Sequence, residues 1–367
     1  MSDTLFQPNW FSKPGDTLYS LMARRGMSLR SLAEKVGCDI LTVRGLLAGT
    51  IEIDEEIAVR LAGVLGGTPA FWRRRQIAYE RALDRAAEAV PKDKGAAWLR
   101  KFPKSEMASY GWVAARTRRT DAIRSYLAFF GVNGPEEWEH RYAEFENHIA
   151  FRTSPTFDSR IGALSAWLRQ AEIQARLLPC ASWNTDLLRS QLTELRKLTK
   201  NKKPAYFIPR LQEMCAAAGV AVVFVPPPAG CRASGAARFI SPDKAMVILS
   251  FRYLSDDHLW FTFFHEIGHL ILHGRSSTFV DGDGTSQNER EREANDFAAG
   301  VLVPCDRRDE LAALQPRARS VVRFAVSLGV SPGIVVGQLQ HLQVIGHNEL
   351  NALKRRYARG EIASAFA

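Results

Sequence analysis

Apolar side chains over the first 80 residues recur at intervals of three and four, in short blocks that open on a small polar residue and mostly end at glycine. Asp16 is expected to cap a first helix over 17–25, ended by Gly26. Ser28 caps a second carrying Leu29, Leu32, Ala33 and Val36, stopped by Gly37. Asp39 caps a third with Ile40, Val43, Leu46 and Leu47 on its apolar face, stopped by Gly49. Asp54 opens a fourth that buries Ile57, Ala58, Leu61 and Leu65, and Thr68-Pro69 opens a fifth through Phe71, Trp72 and Ile77. Residues 86–203 keep a helical rhythm broken at Pro91, Pro103, Gly131 to Pro135, Pro155 and Pro179. From Pro204 the pattern changes. A helix near 205–218 leads into strand-like runs at Val220 to Val225, Ala236 to Ile240 and Ala245 to Phe251, the last two joined by the turn Ser241-Pro242-Asp243. Then comes a helix from Asp256 to His273 that is apolar almost all round. The fold expected is mainly α with a small β-sheet, an α+β class. It divides as 1–85, 86–203, 204–345 and a tail, 346–367.

Charge changes this picture in one place. The net charge is +10, but residues 1–85 hold 12 Lys/Arg against 10 Asp/Glu, 86–210 hold 21 against 13, and 211–367 hold 16 of each. The excess therefore sits in the middle segment, around Arg116 to Arg119 and Lys197 to Lys203. A basic surface suits an acidic partner such as nucleic acid, or is simply a solvated helical face. The aromatics of this segment, Trp98, Phe102, Tyr110, Trp112, Tyr126, Phe129, Phe130, Trp138 and Trp167, are expected in its core. The opening residues lack a basic flank followed by an apolar run, and the longest apolar stretch is too short to span a bilayer. A cytoplasmic chain without a membrane partner is expected. The five cysteines are scattered with no Cys-x-x-Cys pair, so reduced thiols are expected rather than a disulfide framework.

The second and third helices, joined through Gly37-Cys38, have the spacing of a helix-turn-helix. Thr42 and Arg44 are the candidates for base contacts, while Ser28, Arg30 and Thr50 can hold phosphates. The exposed start of the third helix is unusually apolar, with Ile40 and Leu41, which also suits a protein partner. The stretch PGDTLYSLMARRGMSLRSLAEKVG followed by LLAGTIEIDEEIAVRLAGVLGGTPAFW resembles the repressor-like domains of HigA/VapI-type antitoxins of the XRE group. That resemblance implies a lambda-repressor-like helical bundle, operator DNA as partner, and an arrangement that admits a homodimer.

Inside the apolar helix sits His265-Glu266-Ile267-Gly268-His269. Histidines at i and i+4 share one helical face and can reach one ion, and the intervening glutamate can take a proton from the water that the ion activates. A catalytic zinc needs a third protein ligand. Ten residues after His265 stands Arg275, so a third histidine there is ruled out. The acidic helix around Glu289 to Phe297 offers a carboxylate instead. Glu293 lies one turn before Phe297 and is the expected ligand, with Glu289 the weaker alternative and Glu291 expected to be rotated well away. Asp296 is expected to orient a ligand histidine from behind. His258, His273 and His341 are candidates for stabilising an oxyanion, and Asp281-Gly282-Asp283-Gly284 reads as a surface turn.

The segments WFTFFHEIGHLILHG, EREANDFAAGVLVP and FAVSLGVSPGIVVGQLQH, within about 204–345, resemble the ImmA/IrrE zinc metallopeptidases. The order of parts resembles the subgroup that fuses an antitoxin-like helix-turn-helix to this peptidase. The resemblance implies Zn2+, a gluzincin-like ligand set of His265, His269 and Glu293, and Glu266 as base. It also implies limited cleavage of repressor- or antitoxin-type proteins, which switches gene expression. The alternative is an antitoxin-like repressor whose metal is structural or sensory. Val321 to Leu342 reads as a second helix-turn-helix or, more simply, as a helical pair closing the peptidase core.

Overall fold

A computed structural model of the chain describes residues 12–113, 119–142, 161–274 and 284–364. Asp281 to Asp283 of the expected surface turn and Arg116 to Arg118 of the basic run lie outside the described residues. The chain divides into two compact units, Met1–Ala143 with Ile161–Arg169, and Glu144–Arg160 with Gln170–Ala367. This contact-based division falls elsewhere than the composition breaks at 85/86 and 203/204, because the described aromatic helices after residue 86 pack with the N-terminal helices.

The first unit opens with α1 (Pro14–Arg24), α2 (Leu29–Val36), α3 (Ile40–Ala48), α4 (Glu55–Leu65) and α5 (Pro69–Ala89). Four starts are fixed by local side-chain caps. Ser28 Oγ accepts from Ser31 N at 3.1 Å, Asp39 Oδ1 from Thr42 N at 2.6 Å, Asp54 Oδ1 from Ile57 N at 2.8 Å, and Thr68 Oγ1 from Phe71 N at 3.1 Å. The first helix starts earlier than expected. Pro14 occupies its first turn, and Asp16 sits inside that turn, accepting from Lys13 N at 3.0 Å. Leu18, Leu32, Val43, Ala58, Leu61 and Trp72 form the fully buried centre. Beyond them, α6 (Lys92–Arg100), α7 (Lys104–Ser109) and α8 (Arg119–Phe130) enclose an aromatic cluster. Trp98 meets Phe102 edge-on at 5.3 Å, and Phe102 meets Trp138 at 5.2 Å. These rings are core, as their helical spacing predicts, and only Tyr110 among those named is substantially exposed. The helix α9 (Ile161–Leu177) carries the boundary between units.

The second unit contains α10 (Thr185–Lys197), α11 (Pro204–Ala217), a sheet of β1 (Val220–Phe224), β2 (Gly235–Ser241) and β3 (Lys244–Leu249), then α12 (Asp256–His273) and α13 (Gly284–Leu302). It continues through α14 (Arg308–Ala312), α15 (Ala318–Leu328) and α16 (Pro332–His341). The strand order is β1-β3-β2, with β1 parallel and β2 antiparallel to β3. Continuous apolar runs in β1 and β3 are buried on both faces, whereas β2 is half-buried along most of its length, with Ala237 buried. Among the described residues β2 pairs on one side only.

Helix α12 is anchored at its start by two buried carboxylates. Asp256 accepts from Ser331 Oγ at 2.7 Å and Arg355 N at 3.0 Å, and Lys354 Nζ lies 2.6 Å from Asp257. Gly333 and Gly337 of α16 make room for these carboxylates, since a Cβ on Gly337 would stand 3.0 Å from Asp257 Cβ. Helix α16 is buried along most of its length, so Val321 to Leu342 closes the core of this unit. Residues beyond 345, expected as a tail, belong to that core too, since Tyr357 and Ile362 are buried within it. Among the described residues no single helix is long and apolar enough to cross a membrane.

Candidate metal centre

Helix α12 is apolar on nearly every face, so the paired rings of His265 and His269 within it are conspicuous. His265 Nε2 and His269 Nε2 stand 3.0 Å apart. The carboxylate that meets them comes from Glu291 on α13, with Oε2 at 3.3 Å from His265 Nε2 and Oε1 at 3.4 Å from His269 Nε2. One ligand atom from each of the three lies within 4.8 Å of the others. Around a tetrahedral ion with bonds of about 2.0–2.2 Å, donor atoms sit roughly 3.3–3.6 Å apart. The observed separations are close to that edge length, and two imidazoles with one carboxylate are a zinc donor set. The residues present therefore fit the metal that the sequence motif implies.

The third ligand position corrects the sequence expectation. Glu293 is 51% exposed at its side chain and lies 3.7 Å from His273 Nδ1, one turn beyond the cluster. Glu289 is exposed and faces Arg292 at 3.6 Å. The phase of α13 is set by Ala294, Ala298 and Leu302, all essentially fully buried, rather than by the half-buried Phe297. Glu291 extends that stripe by one turn. Small residues mark the line of closest approach because Gly268 of α12 crosses there. A Cβ on Gly268 would stand 3.0 Å from Phe297 Cδ1 and 3.4 Å from Ala294 Cα. Two arginines of α10 tie the ends of the site helices, Arg189 Nη2 donating to Ile271 O at 3.3 Å and Arg196 Nη1 to Val301 O at 3.2 Å.

The supporting residue also differs from expectation. Asp296 is exposed, and its backbone carbonyl accepts from Arg308 Nη2 at 3.3 Å. Asn295 instead reaches His265, with Oδ1 at 2.9 Å from Nδ1. With Nδ1–H donating to that carbonyl, Nε2 keeps its lone pair for an ion. Glu291 and Asn295 are four residues apart on one face, a spacing that Glu289 and Glu293 share, so the sequence alone does not single them out. Burial opposes charge on His265, but the hydrogen-bonding Glu291 carboxylate, aided by Glu266 and Asn295, outweighs it and raises the imidazole pKa. That concentration of negative potential is what a cation would neutralise.

Glu266 is 7% exposed and turns toward β2. Of the oxyanion candidates, His273 lies nearest the cluster, its ring 5.5 Å from that of His269. The His341 ring is 6.4 Å from Phe261, and Phe261 stacks 6.3 Å from His265. His258 stacks on Tyr253 at 4.3 Å, and His273 Nε2 lies 3.2 Å from Arg290 O.

In the first unit, Arg30 and Arg44 are exposed and Thr42 is half-buried. Ser28 Oγ is engaged as the α2 cap, and Thr50 Oγ1 donates to Gly45 O at 3.3 Å. Leu41, at the start of α3, is 69% exposed.

No curated protein and no solved structure matches the chain. Residues 215–339, about a third of the chain and including the whole His265, His269 and Glu291 cluster, match the model of the family Peptidase_M78, described as the IrrE N-terminal-like domain.

Proposed function

We propose that this chain is a zinc-dependent endopeptidase of ImmA/IrrE type joined to a DNA-binding helical unit, and that it cleaves a repressor- or antitoxin-like protein to switch gene expression. The observation that carries the reading is the convergence of His265, His269 and Glu291 beside Glu266, within a stretch similar to a peptidase family. His265, His269 and Glu291 hold the ion, and Asn295 fixes the tautomer of His265. A bound zinc supplies Lewis acidity, polarising a peptide carbonyl and acidifying water. Glu266 accepts the proton of the attacking water and delivers it to the leaving amine, which its short reach from the ligand helix supports. Strand β2, half-buried, packed on α12 and paired among the described residues with β3 alone, is the strand we assign to aligning an extended substrate.

Glu266→Gln keeps the ligands and removes the base, so zinc content should stay near one per chain while cleavage is lost. Co-expression of each form with neighbouring regulators, followed by mass spectrometry, reads this directly. Equal fragments from both forms would remove Glu266 as base and the endopeptidase reading with it. DNA binding by the first unit is supported by exposed Arg30 and Arg44 beside the α3 start. Anisotropy with DNA from the gene's own promoter should show binding that weakens steeply with salt. Exposed Leu41 favours a protein partner instead, and salt-insensitive or absent DNA binding would point there.

A further inference from the structure

Strand β2 packs closely on helix α12 where β2 begins. Gly235 pairs with Leu249 of β3, and residues 235, 237 and 239 share one face of the strand. Ala237 on that face is buried in the core that includes α12. A side chain at 235 would therefore project toward the ligand helix. A Cβ built there overlaps the Cγ2 methyl of Thr262 and stands 2.9 Å from Glu266 Oε1 and 3.0 Å from Glu266 Cγ. Real Cβ atoms do not tolerate such contacts, so something must shift. Thr262 is on the helix one turn before Glu266 and has little freedom, being β-branched. The Glu266 carboxylate is the end of a longer chain and is the group that yields.

We infer that Gly235 is a positioning residue for Glu266: the missing side chain at the head of the edge strand is what lets the carboxylate lie against β2 beside the two ligand histidines. This rests on the peptidase reading for its catalytic meaning, though not for its geometry. Helix α12 is thus bracketed by two bare positions with separate tasks. Gly268 lets α13 close in to deliver Glu291, and Gly235 lets the strand close in without evicting the base. Neither task needs a left-handed backbone, since neither glycine has positive φ. The requirement is for space.

Three variants of the full chain separate positioning from packing. Gly235→Ala meets both Thr262 and Glu266. Gly235→Ala with Thr262→Ser removes the overlapping methyl and leaves only the contact with Glu266. Thr262→Ser alone is the control and should behave as the native chain. All should hold about one zinc, because no ligand is touched. The double variant should recover the melting temperature that Gly235→Ala loses, yet stay about 100-fold down in kcat with little change in KM, the cost of a base displaced by about 1 Å. Turnover is read with a pool of quenched-fluorescent decapeptides and with co-expressed neighbouring regulators. The crystal structure of the zinc-loaded double variant should show the Glu266 carboxylate rotated off β2. A native-like carboxylate in that structure, or native kcat in the double variant, overturns the inference. If the native chain itself leaves both kinds of substrate intact, the peptidase reading falls, and the carboxylate position in the double variant still decides the role of Gly235.

Discussion

Helix α12 is buried on nearly every face, with Trp260, Phe263, Phe264, Ile267 and Leu270 fully enclosed around His265 and His269. Helix α13 is half-exposed, with Glu289, Arg292, Glu293 and Asp296 in solvent and a narrow buried line of Ala294, Ala298 and Leu302. Each gives the cluster its ligands, but by a different route. In α12 the rings of His265 and His269 are exceptions in an apolar cylinder, and their partners, Glu291 and Asn295, come from α13. In α13 carboxylates are abundant, and only phase selects one. The difference teaches that a ligand on a buried helix is specified by its composition, whereas one on a surface helix is specified by the small residues that let that helix approach.

The largest effect that tests this contrast is on metal affinity. Glu291→Ala should weaken zinc binding by more than about 100-fold, since even the loss of a supporting partner costs 10–100-fold. Glu293→Ala, which leaves the cluster intact, should be within error of the native chain. Competition against a chromophoric chelator measures both. A reversed order, with Glu293→Ala the weaker binder, would mean that α13 is rotated by about half a turn from its place here.

Much of this was legible beforehand. The α12 boundaries, the paired histidines, the adjacent glutamate and the turn between β2 and β3 all follow from local pattern. Helix starts at Ser28, Asp39, Asp54 and Thr68 follow from capping chemistry that acts within four residues. What local pattern did not reveal depends on contacts distant in the chain. Phe297 drew the expected apolar face toward Glu293 because large side chains usually mark a core. At the crossing near Gly268 the fully buried line is instead Ala294 and Ala298, and Phe297 packs half-buried beside it. The same misphasing favoured Asp296 over Asn295. Residues beyond 345 read as a tail because nothing in them announces that Arg355 N and Lys354 will satisfy two carboxylates a hundred positions earlier.

A second, intermediate effect sharpens the point about phase. Asn295→Ala removes the acceptor for His265 Nδ1 and should lower zinc affinity by about 10–100-fold, with Asp296→Ala near neutral. Asn295→Asp keeps an acceptor and should retain most of the affinity. If all three variants bind zinc alike, the contact with His265 has no hold on the metal, and the advantage of the Glu291 face reduces to one ligand.

The smallest effect lies in the first unit, where specification is local, and it concerns acid. The Thr42 backbone N–H, donating to Asp39, holds the Asp39 carboxyl below its ordinary pKa. A depressed folded-state pKa means that the cap's contribution is present above the unfolded aspartate value and is lost as pH falls through the folded one. The unfolded value is about 3.9, so the loss should set in as pH falls through and below that value. Asp39→Asn keeps a good cap acceptor but cannot titrate there. Amide exchange in α3 should therefore speed up with acid more in the native chain than in Asp39→Asn, after correction for intrinsic exchange rates. The α12 amides, whose helix is held by burial and by distant partners, should show no such difference between the two proteins. Identical acid profiles for α3 in both would mean that this helix, like α12, is held by its packing and not by its cap.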